Sequence, residues 1–119
     1  MALEIDYSGK RVVVTGSGAG IGRSIAVMFA QAGADVVIFD KREDKVQETV
    51  EQINASGRGS AFPVIGDARE EGQIEKMFDE AVELLGGIDV GINNIGMLGP
   101  QGTASLIDMD ESKWRDVLE

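Results

Sequence analysis

The sequence predicts a three-layer α/β fold: one parallel sheet of four strands, in the order 3-2-1-4, with helices on both faces. Three observations lead there. Short β-branched apolar runs alternate with amphipathic stretches along the chain, the pattern of strands joined by crossover helices. The runs are apolar at nearly every position, as in strands covered on both faces. A glycine cluster, Gly16 to Gly22, stands where the first run gives way to the first amphipathic stretch.

The elements follow in order. Residues 10–15, Lys-Arg-Val-Val-Val-Thr, form a buried strand that ends at Gly16. A helix over 20–32 carries Ile21, Ile25, Met28, Phe29 and Ala32 at helical spacing, and Gly33 ends it. Val36-Val37-Ile38-Phe39 is the second strand, closed by Asp40. Residues 42–55 make a charged helix with Val46, Val50 and Ile53 on one face, broken by Ser56-Gly57-Arg58-Gly59. Residues 61–65 are the third strand, and Pro63, which has no N–H, assigns it to a sheet edge. A third helix over 70–85 carries Ile74, Met77, Phe78, Ala81, Val82 and Leu85 on one face and stops at Gly86-Gly87. Residues 88–93 are the fourth strand, 96–107 a loop, and a last helix starts near Asp108 with Trp114, Val117 and Leu118 as its apolar face. Right-handed crossovers and the Pro63 edge favour the order 3-2-1-4. The expectation is one Rossmann-like domain over residues 1–119. It has an unpaired strand edge and a final helix that leads into nothing, and so it reads as truncated.

The bulk numbers narrow the function. With 21 acidic against 11 basic residues the net charge is −10, and no Lys/Arg cluster could track a phosphate backbone. Nucleic acid and an anionic membrane surface are therefore not expected partners. A small anion is still accommodated, because a helix N-terminus carries a local positive field whatever the net charge. With no Cys and no His, thiolate catalysis, imidazole bases and zinc sites built on those residues are excluded. Met1-Ala2-Leu3-Glu4-Ile5-Asp6 has neither a basic segment nor an apolar run, so a cytoplasmic location is expected.

The glycine cluster, Thr15-Gly16-Ser17-Gly18-Ala19-Gly20-Ile21-Gly22, points to a dinucleotide. Gly16 lets the strand turn without a Cβ clash. Gly20 lets the backbone approach a pyrophosphate, and Gly22 lets the helix pack closely on the sheet. The helix N-terminus offers unbonded N–H groups to the phosphates, and Ser17 adds a hydroxyl donor. Asp40, at the end of the next strand, is placed to accept from the adenosine ribose hydroxyls and to repel a 2′-phosphate. NAD is thus favoured over NADP, although Lys41 and Arg42 beside it are cations that a 2′-phosphate could use. Blander readings stand alongside. The glycines could make only a tight turn, and Asp40 could simply head the charged run 40–45. A phosphate loop over Ser17 to Ser24 fails twice, since Ser17 replaces its first glycine and Arg23 its lysine. The paired acids Glu70/Glu71, Asp79/Glu80 and Asp108/Asp110/Glu111 read as solvated helix faces.

These residues resemble the short-chain dehydrogenase/reductase family. Thr15-Gly16-x-x-x-Gly20-x-Gly22 looks like its cofactor motif. Asn93-Asn94-Ile95-Gly96 resembles its Asn-Asn-Ala-Gly motif, with the bulkier Ile95 for Ala, and Gly66-Asp67-Ala68 matches the segment after its third strand. The resemblance implies that Gly16, Ser17, Gly18, Ala19, Gly20, Ile21 and Gly22 contact the cofactor, that Asp40 binds ribose, that Asp67 and Ala68 flank the adenine, and that Asn94 and Gly96 lie along the ribose side. Structural alternatives are a helix cap for Asp67 and ties between strands for Asn93 and Asn94. Arg69 stands where the family usually has a small capping hydroxyl.

The family's chemistry uses a Ser and a Tyr-x-x-x-Lys pair, in which the Tyr moves a proton at the substrate oxygen while hydride moves to or from nicotinamide. The one tyrosine here, Tyr7, precedes the glycine turn and is followed four residues later by Arg11, so no catalytic residue is assigned. The expectation is a NAD(P)-binding N-terminal portion of such an oxidoreductase, inactive alone, with an alcohol or carbonyl substrate only in a full-length parent. The rival is a stand-alone dinucleotide-binding or self-associating module without chemistry. A homo-oligomer is expected in either case.

Overall fold

The structure, a computed structural model, describes residues 5–94. Seven elements alternate as expected: β1 (Arg11–Thr15), α1 (Gly20–Gln31), β2 (Asp35–Asp40), α2 (Glu43–Ser56), β3 (Ser60–Ile65), α3 (Gln73–Leu85) and β4 (Val90–Ile92). The loop 96–107, the helix from Asp108, and the residues Ile95 and Gly96 lie outside the described residues.

All strand pairs are parallel and the order is β3-β2-β1-β4. Val14 stands beside Ile38 of β2 on one side and Ile92 of β4 on the other. Pro63 pairs opposite Ile38 on a strand whose only described neighbour is β2, so its missing N–H costs the sheet no ladder bond.

Alternation along the strands sends side chains to two separate cores. Val12, Val14, Val36 and Ile38 pack with Ala26 and Ala30 of α1 and with Val46 and Ile53 of α2. Val13, Val37, Phe39 and Val64 pack with Met77 and Ala81 of α3 and with Ala68. The three layers follow from that division. Among the described residues, no helix is long and apolar enough to cross a membrane.

Two helices differ from expectation. The buried face of α1 is Gly22, Ala26 and Ala30, whereas Ile21 and Met28 are 74% and 68% exposed. Small residues four apart let the helix axis approach the sheet closely, and the larger Ile25 and Phe29 flank the contact half-buried. The rings of Tyr7 and Phe29 pack in a T-shaped pair, with centroids 5.3 Å apart. Helix α3 starts at Gln73, not at residue 70, because Gly72 before it takes a left-handed φ of 80°. Residues 67–70 instead form a turn in which the Glu70 N–H donates to the Asp67 carbonyl at 3.1 Å. Of the predicted α3 face, Met77 and Ala81 are buried while Phe78 and Val82 are exposed.

Candidate functional site

Parallel strands bring their C-terminal ends to one edge of the sheet, and ligands of open α/β sheets bind outside that edge. Here the edge gathers the glycine turn after β1, Asp40 at the end of β2, Gly66-Asp67 after β3 and Asn93-Asn94 after β4.

The glycines have distinct reasons. Gly16 and Gly20 hold φ of 66° and 60°, a region other residues enter only with strain. A Cβ on Gly22 would strike the Gly16 carbonyl and come within 2.6 Å of Asn94 Nδ2. A Cβ on Gly18 would stand 2.8 Å from Asp40 Oδ2. The turn is thus wedged between the sheet, Asp40 and Asn94.

Helix α1 begins with Ala19 as its N-cap, no side chain caps it, and its first backbone bond runs from the Arg23 N–H to the Ala19 carbonyl at 3.3 Å. Among the described residues, the N–H groups of Ala19, Gly20, Ile21 and Gly22 find no acceptor. These are the orphan donors of a helix start, in the positive field of the helix end. Such a cradle suits an anion, and the residues present fit a dinucleotide's pyrophosphate.

Ser17 does not supply the hydroxyl donor expected of it. It is fully buried, its Oγ–H donates to the Val14 carbonyl at 2.6 Å, and its Oγ accepts the Phe39 N–H at 3.0 Å. Its own N–H donates to the Phe39 carbonyl at 3.1 Å. Ser17 therefore stitches β1 to β2 and holds the turn from beneath.

Asp40 is 6% exposed. Its Oδ2 accepts the Gly18 N–H at 3.1 Å and Arg42 Nη2 at 3.0 Å, and its Oδ1 accepts the Arg42 N–H and Nε at 3.2 and 3.1 Å. Burial pushes its carboxyl up, but the Arg42 guanidinium, the Arg42 N–H and the Gly18 N–H outweigh it, and the pKa falls below the usual value. Asp40 is thus a carboxylate at neutral pH and a brace for the glycine turn. Of the two neighbouring cations, Arg42 is the one paired to it.

On the β4 side, Thr15 Oγ1 accepts the Asn94 N–H at 3.0 Å, and its single proton lies within reach of Asn93 Oδ1 at 3.1 Å and the Ile92 carbonyl at 3.3 Å. Asn94 Nδ2 donates to the Gly16 carbonyl at 3.4 Å. Both asparagines therefore tie the end of β4 to the turn, and Asn94 is brought against Gly16 and Gly22.

The β3 segment stands differently. Asp67 is no helix cap. Its Oδ1 accepts the Arg69 N–H at 3.0 Å and its Oδ2 pairs with Arg69 Nη2 at 3.1 Å. The Arg69 side chain, then its N–H, lowers the Asp67 pKa. The Ala68 methyl is buried in the α3 core, while the Arg69 and Asp67 side chains beside it are 42% and 24% exposed. A cleft of about 360 Å³ opens beside it, lined by Arg69, Glu70, Glu71, Ile74 and Glu75 among others, three acidic residues against one basic, a balance that disfavours phosphate.

Two further residues, Arg23 and Thr49, reach the turn. Both touch the Gly18 carbonyl, Arg23 from α1 and Thr49, fully buried, from α2. Each lies in a helical pattern where a polar residue reads as solvated, and no spacing signal marks them.

Comparison with known proteins places this architecture. The family model described as short chain dehydrogenase matches residues 10–119. An uncharacterized oxidoreductase of Thermotoga maritima is 42% identical over 94 residues, covering 79% of this chain and 36% of that protein. The 7alpha-hydroxysteroid dehydrogenase of Escherichia coli K12 is 41% identical over 93 residues, covering 78% and 36% respectively. A crystal structure of hydroxysteroid dehydrogenase from Escherichia coli superposes with a TM-score of 0.76 at 38% identity, over 88% of this chain and 43% of that one. The chain thus spans little more than a third of the length of these two curated relatives. With a four-stranded parallel sheet in the order β3-β2-β1-β4 and a family match over nearly its whole length, the chain belongs to the short-chain dehydrogenase family.

Proposed function

We propose that this chain is the dinucleotide-gripping portion of an oxidoreductase that moves hydride between an alcohol and its carbonyl, and that it takes NAD in preference to NADP. The observation that carries this reading is the group of four orphan N–H donors, Ala19 to Gly22, opening beside a buried carboxylate, Asp40. The N–H groups of 19–22 hold the pyrophosphate, with Gly16 and Gly18 shaping the turn behind them. Asp40 accepts from the adenosine ribose hydroxyls, Asp67 and Ala68 flank the adenine, and Asn94 lies along the ribose side. When bound, the nicotinamide accepts or delivers the hydride.

The preference for NAD rests on charge. Asp40 is ionised, and a 2′-phosphate beside it meets like charge. Arg42 offsets part of that charge, but its guanidinium is already engaged on both Asp40 oxygens. The chain's own share is binding, since its 119 residues hold no Tyr-x-x-x-Lys and its tyrosine packs on Phe29. We place this work in the cytoplasm. Self-association belongs to the reading as well, because β4 has β1 as its only described partner strand and an open edge pairs readily.

Parallel calorimetric titrations with NAD and NADP test the proposal. NAD binds at least about tenfold tighter. Equal affinities contradict the cofactor choice, and no binding of either contradicts the reading as a whole.

A further inference from the structure

Donors crowd the Gly18 carbonyl. Arg23 reaches it through Nε at 3.0 Å and through Nη2, and Thr49 Oγ1 stands 3.1 Å from it. The Thr49 hydroxyl also accepts Arg23 Nε–H at 2.9 Å and shares its one proton between the carbonyls of Gly18 and Lys45. Arg23 is held in turn by Glu48 at 3.0 Å. On the other side of the same residue, the Gly18 N–H donates to Asp40 Oδ2.

A trans peptide unit is planar, with its C=O and N–H pointing to opposite sides, and the described residues contain no cis bond. The Gly18 carbonyl shares its unit with the Ala19 N–H. Drawing the carbonyl toward Arg23 and Thr49 therefore turns the Ala19 N–H the other way, out of the contact between α1 and α2. Glycine on its own rotates freely about both of its bonds. Here both flanking peptide units are pinned, one by Asp40 and one by Arg23 with Thr49.

We infer that Arg23 and Thr49 are positioning residues for the cofactor grip: they lock the Gly18–Ala19 peptide so that the Ala19 N–H faces the ligand's pyrophosphate. This rests on the dinucleotide reading above.

The test titrates the full chain with NAD and with adenosine, which has no phosphate. Thr49→Val removes the hydroxyl at nearly constant volume and Thr49→Ser keeps it, while Arg23→Met keeps the stem and removes the guanidinium. T49V and R23M weaken NAD binding about three- to tenfold, the worth of one well-aimed hydrogen bond. Adenosine affinity stays within about twofold, and T49S binds NAD like the wild type. Equal losses for NAD and adenosine overturn the inference, as does undiminished NAD binding in both variants; each leaves the dinucleotide reading standing. A folded wild-type chain that binds no NAD overturns that reading and the inference with it. If T49V does not fold, R23M carries the test, with the ¹⁵N–¹H cross-peak of Ala19 in the free chain as second readout. That peak moves in R23M, and an unmoved peak contradicts the lock.

Discussion

Replacing Gly22 by alanine tests how the glycine turn is wedged against the sheet. The new Cβ would meet the Gly16 carbonyl oxygen, Asn94 Nδ2 at 2.6 Å and the Gly16 carbonyl carbon at 2.9 Å. The Asn94 amide can swing aside, but Gly16 is backbone at the end of a buried strand and cannot. Overpacking a rigid wall costs about 3 kcal/mol, the upper end of its usual range. Position 22 lies inside α1, so alanine returns about 1 kcal/mol of helix propensity. The net is a loss of about 2 kcal/mol. With a urea slope of about 2 kcal/mol per molar, the unfolding midpoint falls by about 1 M. Urea denaturation followed by circular dichroism at 222 nm measures it, with Ser24→Ala on the exposed side of the same helix as control. S24A shifts the midpoint by less than about 0.25 M. A G22A midpoint equal to or above the wild type refutes the close contact and with it the reason given for this glycine.

Three other outcomes follow from the same structure. Asp40→Asn replaces the ionised acceptor of Gly18 and Arg42 with a neutral amide, so the ratio of NAD to NADP affinity falls at least about tenfold by calorimetry, and an unchanged ratio contradicts the charge argument. Ala26→Leu on the small buried face of α1 costs about 1–3 kcal/mol in urea denaturation, while Met28→Gln on its exposed face stays within about 0.5 kcal/mol; the reverse order would restore the inward face expected from the sequence. Asp89 is lowered to about 2 by the Arg11 guanidinium and then the Arg11 N–H, and Asp40 is lowered too. Both bind protons more weakly folded than unfolded, where Asp titrates near about 4. Their stabilisation is therefore complete above about pH 5 and drains away as pH falls toward 2. Urea midpoints decline over that window, and Asp89→Asn makes the decline shallower; an identical decline in D89N removes Asp89 from the account.

Much of the fold was legible because its causes are local. Three consecutive valines, Val12 to Val14, cannot choose a solvent face, so they announce a strand covered on both sides. Pro63 announces an edge. Gly16 and Gly22 were legible for the reasons the structure bears, a left-handed φ and a close backbone approach. Periodicity failed at α1 because it counts large apolar residues as inward, whereas the contact with the sheet is set by how small Gly22, Ala26 and Ala30 are. The start of α3 was misplaced because the acids at 70–71 suit a first helical turn, yet Gly72 forces a left-handed break after them. At the site, Ser17 looked like a ligand donor and is a stitch between strands. The roles of Arg23 and Thr49 were missed: Thr49 meets the Gly18 carbonyl from 31 residues away, and Arg23, only five residues on, reaches it by a side-chain direction that no spacing reports. Asp40 was found by position, but its partner Arg42 could be identified only from geometry.

The central claim is that the four N–H groups of Ala19 to Gly22 receive a dinucleotide's pyrophosphate. Titrating NAD into the ¹⁵N-labelled chain tests it most directly. The account predicts that the amide cross-peaks of Ala19, Gly20, Ile21 and Gly22 move together and saturate with a single dissociation constant. NAD that binds while those four peaks stay still, or a folded chain in which no peak moves at millimolar NAD, contradicts it.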